Sequence, residues 1–328
     1  MRVFVTGATG FVGGRVAERL LARGDEVVAL VRDPWKAASV EEAGALPVVG
    51  DITEPDTVRS GMESCDAVVH LAARYELGSR DPEGLEHANV YGARVVLEAM
   101  RDLEVPRGVH VSTLAVHGDT RGQLVDESYR AEGPWLTDYD RTKWRAHYEV
   151  ASPLAAAGLP VVIAQPGVVV GPGDPSLVGE LFRRYLSQRL PFVPPASYCW
   201  ADVEDVAGGI LLCLDEGRAG EAYHLAGEAL SVKEVLELGR SITGIPPPQR
   251  VAPPGLVRAL AGIMSVVERV VRVPAAYSSE ALRAAAGVTY LGDSAKAREE
   301  LGWRTRPLEE TLHATFFAML EDLDLRPG

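Results

Sequence analysis

The sequence predicts a doubly wound α/β fold, a largely parallel sheet with helices on both faces, followed by a smaller, helix-rich C-terminal lobe. Three observations carry that expectation. Short valine-rich runs recur through the first 170 residues, continuous rather than alternating, as in strands covered on both faces. Amphipathic stretches of helical length separate them, the rhythm of βαβ units. After Pro166 the chain changes to proline- and glycine-rich loops between helices.

In chain order the strands are expected at 2–5, 26–31, 46–49, 67–70, 108–111 and 160–164, with helices at 12–23, 54–62, 83–102 and 137–157. Beyond Pro166, loops at 171–175 and 191–195 precede helices at 204–216, 232–243, 255–271, 278–286 and 307–320, with one strand at 221–226. The apolar stripe at 256–271 reads as core of the lobe, because Arg258, Glu268 and Arg269 interrupt it. The expected division is a dinucleotide-binding domain at 1–170, with segments returning near 201–228, and a substrate lobe from 171–200 and 229–328.

The chain has 328 residues, 47% apolar and 24% charged, enough to bury a core without disulfides or metals. A net charge of −13 argues against a nucleic-acid or anionic membrane partner. Cys65, Cys199 and Cys213 lie far apart, with no metal-ligand spacing, so neither a disulfide framework nor a bound metal is expected. No apolar run approaches the ~20 residues of a membrane span. The first strand runs straight into glycines, without a signal peptide's apolar region and cleavage site. A cytoplasmic protein is the expectation.

The first loop carries the strongest motif. Strand 2–5 runs into Thr6-Gly7-Ala8-Thr9-Gly10-Phe11-Val12-Gly13 and then a helix. Glycines at 7, 10 and 13 suit a tight turn, a bare backbone beside a pyrophosphate, and close helix–strand contact. The helix N-terminus then offers free N–H groups and a favourable dipole to phosphates. Gly7, Thr9, Gly10, Phe11, Val12 and Gly13 are therefore the expected dinucleotide cradle of a Rossmann-type domain.

The second strand selects the cofactor. NAD-binding folds hold the adenosine ribose with an acid at the end of that strand. Here Val31 occupies the place, Arg32 follows and Lys36 comes four residues later. A guanidinium there can grip a 2′-phosphate, so NADP is expected, with NAD as the alternative. Asp33 is expected to cap the turn opened by Pro34.

Tyr139-Asp140-Arg141-Thr142-Lys143 places a phenol and an ammonium on one helix face, four residues apart. A tyrosine titrating near ~10 exchanges a proton poorly at neutral pH unless its anion is stabilised, and Lys143 is the neighbour that would lower its pKa.

With this pair, TGxxGxxG at Thr6–Gly13 resembles the extended short-chain dehydrogenase/reductase family, also known as the NAD-dependent epimerase/dehydratase superfamily. Further landmarks are Asp51-Ile52, His70-Leu71-Ala72-Ala73, Asn89-Val90-Tyr91-Gly92, the run from Asp202 to Ala207 and the run from Lys296 to Trp303. The likeness spans residue 1 to about 320. It implies that Asp51 and Ile52 contact adenine and that Leu71, Ala72 and Ala73 lie against the cofactor. It also puts Pro166 and Val169 near the nicotinamide and Lys143 on its ribose. Thr113 is implied as the catalytic hydroxyl, with Asn89 supporting Lys143 through a water. Two departures stand out: His117 where the family usually has tyrosine, either lining the pocket or packed in its loop, and Gln165 where it commonly has arginine.

The branch most resembled is the dihydroflavonol-reductase-like and hopanoid-associated sugar epimerase group, through Val31-Arg32-Asp33-Pro34, Ala72-Ala73-Arg74-Tyr75 and the stretch 220–228. It implies a reductase exchanging hydride with a small-molecule carbonyl. A nucleotide-sugar epimerase holding its NAD(P) tightly is the alternative, and a cofactor-sensing regulator a third reading. Leu114 and Ala115 beside Thr113 disfavour a dehydratase, which needs acids there. The resemblance further implies a homodimer through the helices bearing Asn89 and Tyr139, with Val95, Val96, Ala99, Trp144, Tyr148 and Ala151 as candidate apolar contacts.

Overall fold

The computed structural model describes residues 1–324. Strands β1 (Arg2–Thr6), β2 (Glu26–Val31), β3 (Leu46–Val49), β4 (Ala67–His70), β5 (Gly108–Val111), β6 (Val161–Pro166) and β9 (Ala222–Leu225) form a seven-stranded sheet in the order β3-β2-β1-β4-β5-β6-β9. Every pairing in it is parallel, which makes the fold a Rossmann-type α/β fold. Val3, Phe4 and Val5 of β1 are completely buried, because helices cover both faces.

Helix Phe11–Ala22 buries Gly13, Val16, Ala17 and Leu20, a stripe of helical period, and packs on helix Val203–Glu216 over one face. Helices Pro55–Met62 and Gly92–Asp102 cover the other, with Val58, Met62, Val96 and Met100 in its core. Each fully buried aliphatic side chain contributes roughly 1.5–3 kcal/mol. The strand order reverses at β1, between β2 and β4, and the crevice at the carboxyl ends of those strands is where such sheets bind ligands.

A second sheet lies beyond the first. Strand β8 (Ser197–Asp202) pairs antiparallel with β10 (Glu228–Ser231) and parallel with both β7 (Val168–Val170) and β11 (Thr289–Tyr290). These strands were not anticipated. Ser-Tyr-Cys-Trp-Ala-Asp has no alternation to reveal β8, and β11 is two residues long. Helix Leu177–Leu186 was also missed, although Pro175 and the capping Ser176, whose hydroxyl accepts from Val178 and Gly179 N–H, announce it.

The helices expected at 83–102 and 137–157 are each interrupted by a π-turn, at His87–Tyr91 and Ala146–Ala151. Such turns re-aim side chains and occur often at functional sites. Val95, Val96, Ala99 and Ala151 pack into the chain's own core. The helix faces bearing these four are turned to the sheet, as some of the six candidate positions must be. Trp144 and Tyr148 stay partly exposed, their rings tilted 46° to each other, beside Trp135 and Arg130.

The apolar stripe divides differently from expectation. Helix Pro254–Val267 buries Val257 and Ala261, while Leu256, Ile263 and Val266 are 60–65% exposed. No helix among the described residues is long and apolar enough to cross a membrane. Cys65, Cys199 and Cys213 are buried free thiols.

Candidate active site

A cleft of about 1200 Å³ opens at the carboxyl ends of the central strands. The glycine loop forms one wall. Gly7 has φ +80°, and a Cβ there would stand 2.8 Å from the Ala72 amide nitrogen. A Cβ on Gly13 would collide with the Gly7 carbonyl. Both positions thus require glycine. No side chain caps helix Phe11–Ala22 and its first turn holds no acid, so its N–H groups face the cleft unopposed.

Asp51, Ile52, Leu71, Ala72, Ala73, Thr113, Tyr139, Lys143, Pro166 and Val169 line the same cleft as Gly7, Thr9, Gly10, Phe11, Val12, Gly13 and Arg32. Gly7 and Val169, 162 positions apart, are brought to one cleft. Two members of the expected set are not in this wall. Lys36 is exposed beyond the Pro34–Lys36 turn, because that turn carries it away from Arg32. Asn89 sits behind the wall, its amide donating to Thr142 Oγ1 (3.0 Å) and the Arg74 carbonyl (3.1 Å) and its Oδ1 accepting from Arg74 N–H (2.7 Å). Asp33 caps the turn as expected, accepting from Trp35 N–H at 3.0 Å.

Tyr139 stands in the first turn of helix Asp138–Arg145, which is capped by Thr137. The lobe fixes this helix end: Glu280 accepts from the Asp138 and Gly78 N–H groups, and Tyr290 donates to Asp140 at 2.9 Å. The Tyr75 ring meets Tyr139 edge-on at 4.8 Å. Lys143 Nζ donates to the Val111 carbonyl (2.9 Å), and burial pulls its pKa down to about 8.

The Tyr139 pKa does not follow expectation. Burial raises it above the ordinary phenol value, Tyr75 and Asp140 add to the rise, and only the nearby Thr113 hydroxyl opposes it. Lys143, engaged with Val111, does not reverse the effect of desolvation. The phenol therefore holds its proton at neutral pH. Burial also pushes the Asp140 carboxyl up to about 7. Asp140, Glu280, Tyr75 and Tyr290 were absent from the expected site; Asp140 was visible inside the Tyr139–Lys143 motif, the others only through tertiary contact.

The two departures from the family pattern meet each other. His117 is buried, its Nε2 lying 2.8 Å from His224 Nε2 and 3.2 Å from the Gln165 side-chain amide. Of the two readings, packing in the loop is the one observed. Ser112 pairs with His147 at 2.9 Å, behind Thr113. Tyr198 lines the cleft, and Trp200 is 1% exposed, donating to the Leu230 carbonyl. Among the described residues no cluster of metal-ligating side chains occurs.

Residues 3–226 match the family model described as the NAD dependent epimerase/dehydratase family. A Synechocystis protein provisionally named dihydroflavonol 4-reductase is 32% identical over 319 residues, covering 94% of this chain and 92% of its own. The 4-hydroxy-2-methyl-3-oxo-4-farnesyl-3,4-dihydroquinoline-1-oxide ketoreductase of Stigmatella aurantiaca is 34% identical over 315 residues, with 93% and 92% covered. The solved structure of gox2253 superposes with a TM-score of 0.85 at 29% identity, covering 99% of both chains. The uncapped helix end and the glycine contacts suit a nicotinamide dinucleotide. With the fold and these likenesses together, the chain is an enzyme of the extended short-chain dehydrogenase/reductase type and belongs to the NAD dependent epimerase/dehydratase family.

Proposed function

We propose that the protein is an NADP-dependent reductase of a bulky, apolar carbonyl compound. The observation that carries this reading is the substrate side of the cleft. Leu177, Leu181, Leu190, Phe192, Val257 and Leu282 supply its wall, and Thr113 and Tyr139 are the hydroxyls placed beside the glycine loop. The segments 171–200 and 229–328 form the substrate lobe in this reading. The ketoreductase relative, named for a farnesylated quinoline oxide, supports the same substrate class.

The bound dinucleotide supplies the hydride. Gly7 to Gly13 and the helix end behind them hold its pyrophosphate, and Arg32 takes the 2′-phosphate. Thr113 and Tyr139 orient the substrate oxygen, and Tyr139, which like any phenol titrating at or above ~10 carries its proton at neutral pH, donates that proton to the oxygen as charge develops. Such transfer contributes typically 10²–10⁴-fold. Lys143 keeps its charge at pH 7 and, anchored on Val111, is placed to fix the ribose. Asn89 is a positioning residue, holding Thr142 and the Arg74 backbone beneath the tyrosine helix.

A nucleotide-sugar epimerase fits less well. Its substrate needs cations for a diphosphate, yet Arg184, the guanidinium of the lobe wall, is paired with Glu180 at 2.7 Å and lies over the Tyr277 ring. Arg74 is likewise paired with Glu76 and Asp81. The test is a panel of apolar ketones and nucleotide sugars, following absorbance of reduced cofactor and, separately, epimer formation. One cofactor oxidised per ketone reduced is expected; epimer formation without cofactor consumption overturns the reading.

A further inference from the structure

We propose that the outer face of the 254–272 segment is a docking surface for an anionic phospholipid bilayer, beside the mouth of the substrate cleft. Helix Pro254–Val267 is apolar on two sides. Val257 and Ala261 face inward, against Ala252, Leu282 and Ala286. Leu256, Ile263 and Val266 face outward, and the chain continues through Val270 (86% exposed) and Val271. A helix apolar all round is normally covered on all sides, so this one has a face without its usual cover.

Charge identifies the partner. Residues 244–279 carry four arginines and one glutamate in a chain whose net charge is −13. Arg250, Arg258, Arg269 and Arg272 are all exposed, and none is in an ion pair among the described residues. The one acid is turned inward, Glu268 accepting from the N–H and hydroxyl of Ser279. Arg80 adds a fifth guanidinium, donating to the Glu268 and Val271 carbonyls at the end of the segment. Exposed apolar side chains with exposed arginines before and after them in the chain match the acyl–headgroup boundary of an anionic leaflet, where each basic residue is worth roughly fivefold in binding; Arg258 also donates to the Ala286 carbonyl. The net negative charge that argued against a membrane is spread over the rest of the molecule, and beyond about 8 Å salt screens it.

Position gives the docking a use. Leu260 and Tyr277 belong both to this exposed surface and to the cleft wall. An apolar substrate dissolved in the bilayer would thus enter without crossing water, a consequence that rests on the substrate class proposed above, whereas the docking itself does not.

The experiment is vesicle flotation of the full chain on phosphatidylcholine vesicles with and without 30% phosphatidylglycerol, comparing wild type with Ile263→Asp/Val270→Asp and Arg269→Glu/Arg272→Glu. Binding to the anionic vesicles should exceed binding to neutral ones at least tenfold, fall with added salt, and drop at least tenfold in either variant. Both variants should keep the wild-type melting temperature and cofactor binding, since none of the four residues lines the cleft. Absence of anionic-vesicle binding, or equal binding by the variants, overturns the proposal. So does light scattering that shows a wild-type dimer made monomeric by Ile263→Asp/Val270→Asp, because a second copy would then cover the face. Loss of vesicle binding with ketone reduction intact refutes the docking alone; vesicle binding without ketone reduction refutes the substrate class alone.

Discussion

At the scale of single residues, cofactor choice turns on the end of β2. Val31 is buried and presents no carboxylate, Asp33 spends its side chain on the Trp35 N–H, and Arg32 is exposed at the rim of the cleft. Arg32→Ala should weaken NADPH binding by roughly 1.5–3 kcal/mol, the range for a hydrogen bond to a charged group, and leave NADH binding nearly unchanged. Parallel titrations of both cofactors check this; equal losses, or a wild type preferring NADH, contradict it. The glycines and the Tyr139–Lys143 pair were legible in the sequence because each performs its role locally, through a turn or a helix spacing. The direction of the Tyr139 pKa was not, since it depends on how thoroughly Tyr75 and the lobe enclose the ring. Gln165 and His117, each odd by itself, make sense only as neighbours, and 47 intervening residues hide that from any local pattern.

Among the elements, β4, β5 and β9, together with the turn after β5 and the helix following Tyr139, carry a layer of buried histidines. His70, His147 and His224 are held at about 3, His117 at about 4 and His110 well below its ordinary value, in each case chiefly by desolvation. All five are neutral in the folded protein at neutral pH, whereas in the unfolded chain they take up protons near 6.5. Their contribution to stability is therefore complete above about pH 6.5 and is lost as pH falls toward 3–4, because only the unfolded chain then takes up these protons. Asp140, near 7 instead of its ordinary value, acts in the opposite sense over part of that window and offsets about one of them. Urea midpoints at pH 7.5 and 5.5 should fall steeply with acidification, and His147→Gln should flatten the slope by about one histidine's share; a midpoint that is flat or rises refutes this. Periodicity placed the strands of the main sheet because most are continuous apolar runs, rich in valine and buried on both faces. It missed β8 and β10, which are mixed in composition, and β7 and β11, which are three and two residues long; these strands are defined by one another.

Over the whole molecule, the lobe completes a site that the dinucleotide domain begins. Glu280 and Tyr290 reach from the C-terminal part of the chain to the start of the helix bearing Tyr139, so that helix is held from both sides of the cleft. The same enclosure that desolvates the phenol also contributes to the cleft wall, which Tyr75, Leu282 and Tyr290 all line. The most direct measurement is single-turnover reduction of an apolar ketone by Tyr139→Phe, with NADPH affinity determined on the same preparation. Because the ring keeps its contact with Tyr75, folding and NADPH affinity should match wild type while the rate falls by about 10²-fold or more. A variant that binds NADPH and retains most of the wild-type rate would contradict the account.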